Sequence, residues 1–117
     1  MAKLISADQI ELVVKAGNSF SNAYNLHKKS VLAVYIPADW DGGDITIESS
    51  LPVTTPSWKT VSDSDGNAIG LTSVVADTII TMANNELQAM MQLKNIRLKG
   101  TTAVAADRTL ILSLKEV

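Results

Sequence analysis

Cysteine is absent from this 117-residue sequence, which excludes disulfides, thiolate zinc sites and cysteine nucleophiles. The chain also has no large excess or cluster of positive charge, since its net charge is -2 and its ten Lys and Arg residues are scattered. The chain therefore lacks the basic stripe that phosphate binding requires, and we expect no nucleic-acid partner. It contains neither the apolar run of a signal peptide nor the roughly twenty apolar residues of a membrane span. We expect no membrane partner and synthesis in a cytoplasm.

Catalytic motifs are missing as well. The single histidine, His27, stands beside Lys28 and Lys29, and no Gly-x-Ser-x-Gly elbow accompanies it. The glycine-rich patterns that cradle phosphates are also absent. We interpret His27 as a loop residue, and we expect no enzymatic activity and no cofactor.

Alternating apolar and polar residues are what the sequence does contain, most clearly at Asn95–Lys99 and Asp107–Lys115. This period of two predicts half-buried strands, with Leu110, Leu112 and Leu114 on one core face and Ile111 on the other side. Turn residues separate similar runs every eight to twelve residues or so, as in a sandwich or barrel. The predicted strands are Ile10–Lys15, Ser30–Ile36, Asp44–Ser50, Ser57–Ser62, Val75–Met82, one or two within Gln88–Leu98, and Arg108–Lys115.

These runs predict an all-β fold, a single-domain antiparallel β-sandwich. Residues 19–117 form the sandwich domain, and residues 1–18 form an N-terminal arm or a first strand. Helical spacing competes only near residues 84–93, where we predict a short helix or turn from Asn85 to Ala89.

The run Ser30–Ile36 is apolar on both faces. Strict alternation places Val31, Ala33 and Tyr35 on one face and the intervening residues on the other. A sandwich strand has one wet face, so the second apolar face needs a cover, either the N-terminal segment or a partner subunit. The candidate interface residues are Leu4, Ile5, Ile10, Leu12, Val14, Val31 and Tyr35.

Two acidic turns and two tryptophans are the remaining candidates for binding. The first turn carries Asp39, Asp41 and Asp44, and the second carries Asp63 and Asp65. Clustered carboxylates suit calcium, but Asp, Asn and Gly are also the residues that strand-connecting turns need, so both interpretations stay open. We expect Trp40 to close one end of the core. Trp58, together with Asp63 and Asp65, is the candidate ligand site.

Several of these segments, taken in order, resemble small β-sandwich proteins encoded among the virion genes of tailed bacteriophages. The resemblance covers most of the chain from about Ser19 onward. Its segments are Val34-Tyr-Ile-Pro-Ala-Asp-Trp40, Ile45–Ser50, Trp58–Gly66, Ile96–Thr101 and Ala105-Ala-Asp-Arg-Thr-Leu-Ile-Leu112, of which the Pro-Ala-x-Trp turn and the Ala-Ala-Asp-Arg-Thr-Leu run are the most specific.

The resemblance implies a jelly-roll or galactose-binding-like sandwich that serves as a capsid decoration or cement protein. Such a protein would bind the major capsid protein on the outer capsid surface of the virion, as a homotrimer, after synthesis in the host cytoplasm. The alternative is a carbohydrate- or receptor-binding module of a phage tail or head fibre, with Trp58 in its site.

Overall fold

The computed structural model describes residues 3–6, 9–26, 29–50, 57–72, 74–82 and 93–116. These residues form ten strands and no helix, which confirms the all-β prediction. The strands are β1 (Lys3–Ser6), β2 (Gln9–Val14), β3 (Tyr24–Asn25), β4 (Lys29–Ile36), β5 (Ile45–Ser50), β6 (Trp58–Thr60), β7 (Gly70–Leu71), β8 (Thr78–Thr81), β9 (Asn95–Gly100) and β10 (Arg108–Glu116). The short helix predicted at residues 85–89 lies outside the described residues. The described part of the chain holds no helix able to cross a membrane.

The strands form two antiparallel sheets that pack face to face. The first sheet has the order β1-β2-β10-β4-β8, and the second has the order β3-β9-β5-β6 with β7 also paired to β5. The last strand in the chain therefore lies at the centre of the first sheet, between β2 and β4. The predicted β-sandwich is confirmed.

The core lies between the two sheets and is built from alternate residues of each long strand. On β10 the side chains of Leu110, Leu112 and Leu114 are buried, as predicted, whereas Ile111 is half-buried on the opposite face. Ile47 and Leu98 cover them from the second sheet and are equally buried. Because the side-chain period of a strand is two, this alternation fixes which face of β10 enters the core.

A β-bulge in β4 changes the predicted assignment of its faces. Leu112 pairs with Val34, but Leu114, two residues on, pairs with Val31, three residues back. The extra residue, Leu32, turns outward, and Val31 joins the core. Placing Val31 on one face with Ala33 and Tyr35 was therefore wrong, because an inserted residue reverses the alternation on one side of the bulge.

The N-terminal segment takes part in the first sheet. β1 pairs with β2, and β2 pairs along its length with β10. The strands described within residues 1–18 therefore extend the first sheet sideways instead of lying across its outer face. The outer face of β4 is not covered by β1 or β2.

Candidate interaction surfaces

The outer face of the first sheet carries a group of apolar side chains, which we call the outer patch: Leu32, Tyr35, Ile79 and Ile111. Three of them form one cross-strand row, because Tyr35 lies opposite both Ile111 and Ile79. Ile79 is 66% exposed and Leu32 is 40% exposed. Apolar side chains that meet on a water-facing sheet are typical of sites that contact another protein.

Tyr35 is held in the outer patch by a polar contact at its tip. Its hydroxyl donates a hydrogen bond of 2.8 Å to Asp77 Oδ1, in the loop that enters β8. This hydrogen bond is the main reason why the pKa of Tyr35 lies above its usual range, with desolvation adding to it. The contact fixes the ring against the sheet and leaves its apolar body in the patch.

The candidate interface residues occupy very different places. Ile10, Leu12, Val14 and Val31 have no exposed surface and belong to the core of this chain, so their side chains are not available to a partner. These residues are apolar because they lie in the interior of the sandwich. Tyr35 lies half-buried in the outer patch. Leu4 and Ile5 belong to β1, and their side chains lie outside the described set.

The first acidic turn is tied to β10 by an arginine. Arg108 Nη1 donates to Asp39 Oδ2 at 3.0 Å, and Arg108 Nε donates to Asp41 Oδ1 at 3.1 Å. Asp41 Oδ2 also accepts a hydrogen bond from the main-chain nitrogen of Ala105. The hydrogen bond from Arg108 is the largest cause of a lowered pKa at Asp41. These carboxylates are therefore already held by protein donors.

Asp44 and the second acidic turn show the same use of carboxylates. Asp44 Oδ1 accepts from the main-chain nitrogen of Val74. Asp63 Oδ1 accepts from the main-chain nitrogens of Asp65 and Asn67 at 2.9 and 3.0 Å, which is the geometry of a side-chain-capped turn. No group of three or more metal-ligating side chains occurs among the residues that the structure describes.

Trp40 packs against the core at the end of the sandwich, as predicted. Its indole Nε1 donates to the carbonyl oxygen of Gly43 at 2.9 Å. The ring lies so close to Gly42 that a Cβ there would come within 2.6 Å of Cη2. Glycine at this position is needed for the tryptophan to close the core.

Trp58 lies half-buried on the outer face of the second sheet, in contact with Arg97. The Arg97 guanidinium lies 4.5 Å from the ring centre of Trp58 and 4.3 Å from that of Phe20. Its Nε donates to Glu48 Oε1 at 2.7 Å, and Glu48 is 6% exposed. We call these four residues the arginine stack; it combines two cation–π contacts with a largely buried ion pair.

The structure does not bring the predicted ligand residues into one site. Trp58 belongs to the arginine stack, Asp63 caps its own turn, and Asp65 contributes a main-chain donor to that turn. His27 lies outside the described residues. Arg97 and Arg108 were missed as organising residues, since alternation places Arg97 on the polar face of β9 but cannot tell which aromatic rings it meets.

Comparisons of the chain with protein-family models, with curated proteins and with solved structures gave no match.

Proposed function

We propose that this chain is a structural subunit of a tailed-phage particle, a capsid decoration or cement protein that binds between major capsid subunits on the outer capsid surface. The observation that carries the proposal is the outer patch. A β-sandwich gains nothing from apolar side chains such as Ile79 on a water-facing sheet, and an exposed apolar cluster is a hazard unless an assembly covers it.

The two most specific segments of the phage resemblance meet in space, which supports the proposal further. Arg108 of the Ala-Ala-Asp-Arg-Thr-Leu run binds Asp39 and Asp41, which lie within and next to the Pro-Ala-x-Trp turn. Trp40 of that turn closes the core. These segments thus carry a structural signature of the sandwich, as expected for a protein whose role is to hold shape.

The proposed mode of action is apolar docking. The outer patch binds to a matching apolar surface of the capsid subunits, and burial of Ile79 and Leu32 supplies the driving force. We also propose that the protein forms a homotrimer. The resemblance to phage proteins supports this, since decoration proteins often occupy the three-fold positions of icosahedral shells.

A charge placed in the outer patch tests the proposal. Ile79→Lys should abolish co-sedimentation of the protein with capsids that lack it, and should remove its protection against heat release of the genome. Thr60→Lys is the matched control, because Thr60 is an exposed strand residue of the other sheet. Full capsid binding by a folded Ile79→Lys variant would contradict docking through this patch. Separately, sedimentation of the purified protein over a range of concentrations would show whether it forms a trimer.

The carbohydrate-binding alternative has less support. It needs an open face of the Trp58 indole, and Arg97 already lies over that ring. Quenching of Trp58 fluorescence by sugars, together with failure to bind capsids, would favour carbohydrate binding over capsid binding.

A further inference from the structure

An exposed carboxylate, that of Asp77, lies beside the outer patch, directly before β8. Two contacts hold Asp77 against the end of β4. Its main-chain nitrogen donates to the carbonyl oxygen of Pro37 at 3.3 Å, and its Oδ1 accepts from the Tyr35 hydroxyl at 2.8 Å. The carboxylate is therefore fixed at the tip of the Tyr35 side chain, whose ring belongs to the outer patch.

The negative charge of Asp77 has no counter-ion within the described part of the chain, where no ion pair reaches it. The other acids near the patch differ in this respect. Asp39 is paired with Arg108 at 3.0 Å, and Glu11, which lies opposite Ile111 on β2, already has an interaction within the chain. Asp77 thus presents an uncompensated negative charge beside an apolar surface.

The fold does not require a charge at this position. Asp77 has a positive φ of 57°, in the left-handed region that Gly, Asn and Asp tolerate best. Its contact with Tyr35 needs one acceptor oxygen, which an asparagine side chain also has. Asparagine would therefore satisfy both local requirements, and the negative charge calls for an explanation outside this chain.

A partner that covers the outer patch must compensate this charge. Docking on Ile79 and Tyr35 removes water from the adjacent carboxylate, and a carboxylate that loses its water without gaining a counter-charge opposes binding. An ionised carboxylate accepts about four hydrogen bonds, so the one from Tyr35 leaves room for a basic group. A cationic side chain opposite Asp77 would remove the penalty and add a charge-assisted hydrogen bond.

We propose that the partner surface that binds the outer patch is apolar and carries a basic side chain, arginine or lysine, that pairs with Asp77. This inference rests on the proposed function, in which the partner is the major capsid protein. Ile79 and its apolar neighbours supply the burial. Asp77 sets the orientation of the docked subunit and disfavours apolar surfaces that lack the basic group.

Co-sedimentation with capsids that lack the protein tests this pair, with Asp77→Asn as the variant. Asparagine keeps the acceptor for Tyr35 and tolerates the positive φ, so the variant should melt like the parent protein by circular dichroism. In about 0.05 M salt it should bind capsids at least roughly tenfold more weakly than the parent, and in about 0.5 M salt, where charges are screened, this difference should shrink. Asp65→Asn is the matched control, because it removes the same charge from an exposed turn between β6 and β7, and it should bind like the parent.

The outcomes separate this inference from the proposed function. If the parent protein does not bind capsids, or if Ile79→Lys binds fully, docking through the outer patch fails and the basic partner group fails with it. If the parent binds and Ile79→Lys does not, but Asp77→Asn binds like the parent, this inference alone is overturned. It is also overturned if Asp65→Asn weakens binding equally, or if the loss in Asp77→Asn is the same at both salt concentrations.

Discussion

Arg97 illustrates how single residues stabilise this sandwich. Its side chain compensates Glu48, a carboxylate that is almost fully buried, while two aromatic rings cover its faces. The sequence shows only a charged residue on the polar face of a strand. What decides its role is the pairing of β9 with β5, which sets Arg97 directly opposite Glu48.

Removal of Arg97 should therefore be costly. Arg97→Leu leaves Glu48 buried without a counter-charge, and we expect a loss of about 3–5 kcal/mol in the free energy of unfolding, measured with urea. Arg97→Leu combined with Glu48→Leu should recover much of that loss, because no uncompensated charge remains. Additive losses in the double variant would show that the ion pair does not govern the effect.

Asp41 should make stability depend on pH. Its pKa is lowered in the folded protein, chiefly by Arg108, so its contribution is present above the unfolded pKa of about 4 and is lost as pH falls through the folded value. Asp41→Asn should flatten the fall of the melting temperature below about pH 4. Asp65→Asn is the control, because the Asp65 carboxylate accepts no hydrogen bond from a described residue, and an equal flattening there would contradict the assignment.

Leu112 tests the core face of β10. It is fully buried, and Leu112→Ala should cost about 2–5 kcal/mol through the cavity that it leaves. Ile111→Ala, on the outer face, should cost less in the isolated protein. A melting temperature unchanged by Leu112→Ala would contradict the observed register.

At the scale of whole elements, the bulge in β4 makes neighbouring residues unequal. Val31 is buried and Leu32 is exposed, although both are aliphatic and adjacent. Val31→Thr buries a hydroxyl and should cost about 1–3 kcal/mol in the free energy of unfolding. Leu32→Thr should change it by no more than about 0.5 kcal/mol. The reverse order would show that the alternation of β4 is regular after all.

Strands with an apolar–polar pattern of their own could be predicted from sequence, and the two-residue strands could not. β10 and β2 were predicted to within a residue or so because their own alternation encodes them. β3 and β7 are two residues each and exist only because β9 and β5 lie beside them, so no local pattern indicates them. The bulge at Leu32 could not be predicted for a related reason, because it arises from the pairing of β4 with β10.

The interaction surfaces were less predictable than the strands. The excess apolar character of residues 30–36 indicated that the strand has a second apolar face, but not that Leu32, instead of Val31, lies on it. The link between Arg108 and Asp39 joins residues that are far apart in sequence. Only the three-dimensional pairing reveals such contacts.

At the scale of the whole molecule, one core joins both sheets, so unfolding should be a single cooperative transition. The two tryptophans report on different regions, with Trp40 at the end of the core and Trp58 on the second sheet. Trp58→Phe leaves Trp40 as the fluorescent reporter, and Trp40→Phe leaves Trp58. In each variant, the unfolding midpoint measured by tryptophan fluorescence should coincide with the midpoint measured by circular dichroism, which follows the loss of the strands. Separate midpoints within one variant would show that the sheets unfold independently.

The central position of β10 also governs the order in which the chain can fold during its synthesis. β2 and β4 leave the ribosome early, but the strand that must lie between them is the last of the ten to be made. Until β10 emerges, β2 and β4 lack the strand that pairs with both of them, and the edges of these two strongly apolar strands remain unpaired. Refolding should accordingly be slow for a domain of this size, because its central pairings join distant parts of the chain. A nascent chain stalled before Arg108 would present the ribosome-bound chaperones with the most aggregation-prone form of this protein.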